Sequence, residues 1–374
     1  MDTTLDMHNR VTARELEHVV RLQLEALARN PALAKELPPL MVWGAPGLGK
    51  SSILRQAAEA LGIGFIDVRL AQREPVDIRG LPVPGEEGVK WLVSSEWPRD
   101  PASRGIILFD EITAADRSLQ VAAYEFILDR RLGDLYSVPD GWYICAAGNR
   151  TEDRAVAATM SSALANRFMH VELAEDVESW VAWARRSDIL PEVVGFLRFR
   201  PECLFRQKGE NLERGWPSPR AWERTSRMLA VMKAEPEELV RKIVYGIVGN
   251  QAGVEFMEFR KMSAVFGDVR AMMLDPSAKV SVPARADLRY ALVSAAAYHV
   301  WRGADEQESA ALLDGFYRIC LELTSDFACM LMMDAMEGRG GLPKAEAMKR
   351  LFGHKSYAEW AKKHGKALRK HIAV

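Results

Sequence analysis

Lys50 and Ser51 close a run that holds three glycines, Val42-Trp43-Gly44-Ala45-Pro46-Gly47-Leu48-Gly49-Lys50-Ser51-Ser52. Glycine reaches backbone torsions closed to other residues, so such a loop can turn several N–H groups towards one anion. A helix starting at Lys50 would add the positive end of its dipole. The spacing Gly44-x4-Gly49-Lys50-Ser51 is that of a phosphate-binding loop. In that reading the backbone of Gly44, Ala45, Pro46, Gly47, Leu48, Gly49, Lys50, Ser51 and Ser52 cradles a nucleotide's phosphates. Lys50 reaches the β- and γ-phosphates, and the Ser51 hydroxyl is a ligand of Mg2+. A Gly-rich turn without a ligand is the alternative. The loop's context argues against it, because a β-rich stretch (LMVW, 40–43) precedes the run and a helical one (ILRQAAEAL, 53–61) succeeds it.

A second apolar run, Ile106-Ile107-Leu108-Phe109, ends in Asp110 and Glu111. Two acids at the end of a buried strand suit a division of labour in which Asp110 holds the hydrated Mg2+ and Glu111 polarises an attacking water. Loops at the carboxyl ends of neighbouring parallel strands share one crevice, which is how this pair and the phosphate loop could meet. The expected chemistry is Mg2+-dependent hydrolysis of a nucleoside triphosphate, taken as ATP, although no residue can be assigned to reading the base.

These groups need elements to hold them. From about residue 38 to 173, β-rich runs (LMVW, FIDVRL at 65–70, IILF at 106–109, WYICAA at 142–147, FMHVEL at 168–173) alternate with helical stretches, the pattern of parallel β-α-β units. Pro84-Gly85-Glu86-Glu87-Gly88 between short apolar runs predicts a hairpin projecting from the core over about 80–97. RLGDLYSVPDGW predicts a second, smaller one. Thr12-Ala13-Arg14-Glu15 has the spacing of a capping box ahead of a leading helix. After about residue 174 the strands give way to amphipathic helical patterns. The expected fold is therefore a P-loop NTPase, a three-layer αβα core with a parallel five-stranded sheet, then a helical lid and a C-terminal helical extension. The expected divisions are an N-terminal helix and linker (1–35), the nucleotide-binding core (36–175), the lid (176–275) and the extension (276–374).

The phosphate loop and the paired acids, together with three later segments, resemble the AAA+ ATPases, and among them the MoxR-like family. Ala146-Ala147-Gly148-Asn149-Arg150 is similar to the family's sensor-1 strand end, which implies Asn149 beside the γ-phosphate and the attacking water. Ser162-Ala163-Leu164-Ala165-Asn166-Arg167-Phe168 resembles the arginine-finger motif, and implies that Arg167 reaches the γ-phosphate held by a neighbouring subunit. Pro217-Ser218-Pro219-Arg220-Ala221 is similar to the start of the sensor-2 helix, with Trp216-Pro217 in place of the usual small pair; it implies that Arg220 contacts the γ-phosphate from the lid. Pro75 to Pro82 and the hairpin after it are similar to the helix-2 insert of the MoxR-like group. The resemblance runs over about 38–265. It implies a homo-oligomeric ring, most often a hexamer, acting on a protein client with a separate partner carrying a von Willebrand factor A domain. Arginine suits these roles physically, since its planar fork stays charged and offers paired donors. Arg167 could instead be a surface ion pair. Arg150 could be a second inter-subunit arginine or a partner for Glu152 or Asp153.

Composition narrows the field. Of 374 residues 48% are apolar and 27% charged, with no uninterrupted apolar stretch near the roughly 18 residues a membrane span needs, so a soluble, cytoplasmic chain without a membrane span is expected. A net charge of −1 provides no whole-protein field towards nucleic acid or anionic lipid. Nucleic acid is accordingly not the expected partner, and a nucleic-acid-directed motor similar to the McrB-type motors of restriction systems is the competing reading. Cys145, Cys203, Cys320 and Cys329 are scattered, which reads as buried free thiols. The methionine-dense 329–336 reads as helix core, the basic 356–371 as a solvated terminal helix, and His170 as a partnered core histidine. Trp91 on the predicted hairpin becomes a contact candidate if it is exposed.

Overall fold

The computed structural model describes residues 9–86, 88–150, 160, 162–206, 214–339 and 342–372. The chain divides into two compact units, Met1–Asp176 and Val177–Val374. In chain order the strands are β1 (Arg10–Val11), β2 (Leu40–Trp43), β3 (Gly64–Arg69), β4 (Leu81–Gly85), β5 (Gly88–Leu92), β6 (Gly105–Asp110), β7 (Arg131–Leu132), β8 (Tyr136–Ser137), β9 (Trp142–Gly148) and β10 (Met169–Leu173). Helices α1 (Ala13–Arg29), α2 (Lys50–Leu61), α3 (Pro75–Arg79), α4 (Arg117–Asp129) and α5 (Ser162–Ala165) lie among them.

One parallel sheet runs β1-β10-β2-β9-β6-β3. It has six strands rather than the expected five. The sixth is β1, where Arg10 and Val11 pair with Glu172 and Leu173 and cover the outer edge of β10. Two residues are too few to show a period, which is why this stretch reads as linker in sequence. Side chains alternate across the sheet. Met41, Ile107, Phe109, Ile144 and Ala146 share a core with Leu119, Ala123, Phe126 and Ile127 of α4. Leu40, Val42, Ile106, Leu108 and Cys145 point the other way and are fully buried on the side where α1 and α2 pack. This is the three-layer αβα core of a P-loop NTPase. Its leading helix starts on the expected capping box, Thr12 with Glu15.

Both predicted hairpins are present, β4 with β5 and β7 with β8. Leu81, Val89, Trp91 and Leu92 of the first stand in solvent, and Trp91 is 42% exposed. Its base is nevertheless fixed. Trp97, buried just beyond β5, lies 4.5 Å from the Phe126 ring between centroids, and Ile78 of α3 joins the same core.

The second unit is helical and has no strand among its described residues. Two apolar clusters fill it, one around Phe196, Trp222 and Phe256, the other around Phe316, Tyr317 and Trp360. Arg198 and Asp334, both almost fully buried, form a two-pronged pair at 2.6 and 3.1 Å, and Arg185 also contacts that carboxylate. The methionine-dense segment is core, within the helix Ser325–Met336. The terminal helix Tyr357–Ile372 is not the solvated one expected: Trp360 is fully buried and His364 nearly so. All four cysteines are free and buried. Among the described residues no helix is long and apolar enough to cross a membrane.

Candidate active site

Strand register brings the chemistry to one edge. Trp43 of β2 pairs with Gly148 of β9, whose neighbour β6 ends at Asp110. The chain leaves β2 for β3 on one side and returns on its other side at β10, so β2 and β9 flank the point where strand order reverses, and ligands of such sheets bind there.

Between β2 and α2 the backbone takes φ of +152° at Gly44, +88° at Gly47 and +99° at Gly49. Side-chain-bearing residues rarely adopt these torsions, and they turn the loop around its own amides. Gly49 caps α2 and brings no side-chain oxygen to the start of the helix. Lys50 is buried. Its ammonium donates to the carbonyls of Gly44 at 2.5 Å and Ala45 at 3.2 Å and to Asn149 Oδ1 at 3.0 Å. These neutral acceptors are weaker partners for an ammonium than phosphate oxygens would be.

The Ser51 hydroxyl donates to Asp110 Oδ2 at 2.5 Å, while Asp110 Oδ1 accepts from the Glu111 amide at 2.9 Å. A serine oxygen beside a carboxylate oxygen is the hard donor set that Mg2+ takes from a protein that leaves the remaining positions to water and phosphate, so the residues fit the ion. Glu111 itself is exposed and sits at φ +57°. A non-glycine residue in that region costs about 1–3 kcal/mol, strain that concentrates at working sites. On β3, burial first and the neighbouring Asp110 carboxylate second raise the pKa of Asp67, which Arg55 partly offsets with an ion pair at 2.9 Å.

Sequence reasoning missed Thr113. It is buried, and its hydroxyl accepts from the Asn149 amide at 3.1 Å and donates to the Asn149 carbonyl at 3.4 Å. One side chain thus pins the backbone of Asn149 on both sides and aims its amide oxygen at Lys50. Gly148 makes room for it, since a Cβ there would come within 2.7 Å of Thr113 Cγ2 and 2.8 Å of Met41 Cε. Only the position of Thr113, two residues after Glu111, could have suggested the link.

Arg150 pairs with buried Glu172 of β10 at 2.5 Å, and Arg10 reaches the same carboxylate at 3.6 Å. The partners expected from sequence, Glu152 and Asp153, lie outside the described residues. His170 is the partnered histidine expected: Trp43 Nε1–H donates to its Nδ1 at 2.8 Å and its Nε2–H donates to the Ala165 carbonyl at 2.7 Å. Arg167 is exposed, and its guanidinium makes no ion pair among the described residues. Arg220 belongs to the second unit. It is exposed in the first turn of the helix Pro219–Val231, where the Ser218 hydroxyl accepts from the Ala221 amide at 3.2 Å. The structure therefore gathers Lys50, Ser51, Asp110 and Asn149 directly, with Glu111 beside them.

No family model and no curated protein matches the sequence. Solved structures do. A mutant form of RuvB from Thermotoga maritima is 17% identical, over 70% of this chain and 74% of that one, with a TM-score of 0.37. NtrX from Brucella abortus is 15% identical, over 89% and 69%, at 0.35. The RuvB Holliday junction branch migration motor from Thermotoga maritima is 17% identical, over 68% and 74%, also at 0.35. Likenesses this distant bring no activity, partner or assembly to this chain; strand order and loop geometry carry the fold by themselves.

Proposed function

We propose that this chain is an AAA+ ATPase of the MoxR-like type. It hydrolyses ATP with Mg2+ at the subunit interfaces of a ring, six-membered by resemblance, in the cytoplasm. The ring's motion remodels or activates a protein client, together with a separate partner that carries a von Willebrand factor A domain. One observation supports this above the others. Lys50 and Ser51, from the loop after β2, meet Asp110 at the end of β6 and Asn149 beyond β9, all within hydrogen-bond reach.

The roles follow from the donors present. Lys50 exchanges the Gly44 and Ala45 carbonyls for β- and γ-phosphate oxygens, gaining charge-assisted bonds. Ser51 and Asp110 would hold Mg2+, which when bound neutralises charge on the phosphates. Glu111, exposed in its left-handed turn just past the end of β6, orients and deprotonates the attacking water. Asn149, held by Thr113, positions the water relative to the γ-phosphate. Arg167 from the neighbouring subunit, and Arg220 from the helical unit, supply the positive charge that a transferring phosphoryl group needs.

The test is Glu111→Gln. Turnover should fall about 10²–10⁴-fold, the usual worth of a positioned acid–base group, while ATP stays bound and the ring persists by mass measurement. Unchanged turnover removes Glu111 from the mechanism. Strong stimulation of the native ATPase by DNA or RNA would replace the protein client with a nucleic-acid track.

A further inference from the structure

His170 sits between two parts of the proposed machine that are far apart in sequence. On one side is Trp43, the last residue of β2, directly ahead of Gly44, whose carbonyl holds Lys50. On the other is Ala165, the last residue of α5, two positions ahead of Arg167. An indole N–H can only donate and a carbonyl can only accept. The two contacts therefore agree on a single neutral tautomer, with the proton on Nε2. The imidazole is a rigid spacer of fixed length, and both its nitrogens are used. The Ala165 carbonyl also accepts from the Phe168 amide at 3.3 Å, so the ring adds a shorter side-chain tie, at 2.7 Å, to the backbone turn from which Arg167 leaves the core. Two residues on, and on the same face of β10, Glu172 takes Arg150, the neighbour of Asn149. One strand face thus touches the entry to the phosphate loop, the strand end carrying Asn149, and the turn before Arg167.

We propose that His170 is a positioning residue that sets Arg167 for the neighbouring subunit according to the state of its own phosphate loop. A shift of Trp43 when Lys50 takes up phosphate moves the ring, and the ring moves the Ala165 carbonyl. This rests on the reading of Arg167 as a finger acting in trans.

Mixed assemblies separate the two ideas. A His170→Phe subunit keeps the ring shape and loses both hydrogen bonds, so its own nucleotide site should be sound and its finger misplaced. Alone it should turn over ATP about tenfold more slowly, with ATP affinity within about twofold of wild type. Glu111→Gln subunits have sound fingers and dead sites. Mixing the two should restore turnover well above the sum of the parts, as should the control mixture of Arg167→Ala with Glu111→Gln. If the control complements and His170→Phe does not, His170 serves its own site and the proposal is overturned. If the control fails, the trans reading fails and takes the proposal with it. His170→Gln offers an amide N–H to the Ala165 carbonyl and an amide oxygen to the Trp43 indole N–H, so both links can persist and it should retain most activity; activity as low as that of His170→Phe would overturn the proposal. Should His170→Phe not fold, Trp43→Phe, which removes the indole N–H, carries the same mixing test. Full activity of His170→Phe alone also refutes it.

Discussion

Thr113→Val tests the least expected part of the site. Valine matches threonine in shape, so Cγ2 can still pack against Gly148 and Met41, but it neither accepts nor donates. Two contacts disappear, from the Asn149 amide at 3.1 Å and to its carbonyl at 3.4 Å. The second is long and worth little; the first leaves a half-buried N–H without a partner. Orphaning a buried donor costs about 1–3 kcal/mol, and partial exposure of Asn149 places this case near 1–2 kcal/mol. In a unit spanning Met1–Asp176 that lowers the thermal midpoint by roughly 2–8 °C. The larger effect should fall on chemistry. With its backbone released, Asn149 no longer holds its oxygen 3.0 Å from Lys50, and misplacing a water-positioning group by about 1 Å costs on the order of 10–100-fold in turnover. ATP affinity should change little, because the loop amides and Lys50 are untouched. The assay is steady-state turnover and ATP titration beside a melt, with Thr113→Ser as the control that keeps the hydroxyl and should recover most of the rate. Wild-type turnover in Thr113→Val, or equal loss in the serine variant, would refute the pinning role.

Gly148→Ala should destabilise the first unit by about 1–3 kcal/mol through overpacking, and less in a Thr113→Ser background, where the opposing methyl is gone; additive losses in the double-mutant cycle by denaturant titration would contradict the contact at 2.7 Å. Asp334→Ala leaves the buried guanidinium of Arg198 only the exposed Glu178, at 3.3 Å, and takes the contacting carboxylate from Arg185, so chemical unfolding should show the second unit weakened by about 3 kcal/mol, the lower end for a broken buried pair, whereas a loss under about 1 kcal/mol would deny the pair any structural part. His299 is depressed from its ordinary value to about 4, by burial first and Arg302 second. The folded state therefore keeps the ring neutral where the unfolded chain takes up a proton. That contribution to stability is complete above about 6.5 and is lost as pH falls towards 4. Thermal midpoints of wild type and His299→Gln should accordingly converge or cross on acidification through that window, and parallel profiles would exclude His299 as a source of acid sensitivity.

What the sequence made legible was whatever is written in consecutive residues. Gly44 to Ser52, the Asp110–Glu111 pair, the Thr12–Glu15 cap and the Pro84–Gly88 turn each do their work through local backbone geometry, so spacing alone announces them. The central strands were legible because burial on both faces leaves a continuous apolar run, as in Ile106–Phe109. β1 was not, because two residues become a strand only when β10 lies beside them. The terminal helix misled through composition: its charges face outward, but a single Trp360 decides that it is packed.

The remaining features share a physical cause. Thr113 to Asn149 spans 36 positions and Trp43 to His170 spans 127, and in each case an ordinary residue type gains a role from what the fold sets against it. A threonine two residues past an acidic pair, or a histidine in an apolar strand, carries no signal of its own. Yet these are the contacts that join the phosphate loop, the paired acids and the Arg167 turn, which the motifs present as separate pieces. A nucleotide site that only bound phosphate would need the loop alone. One that reports its occupancy to a neighbouring subunit needs rigid polar links between the loop and the surface. The proposed links are side-chain hydrogen bonds, made by groups with one fixed donor and acceptor assignment, as His170 has between Trp43 and Ala165.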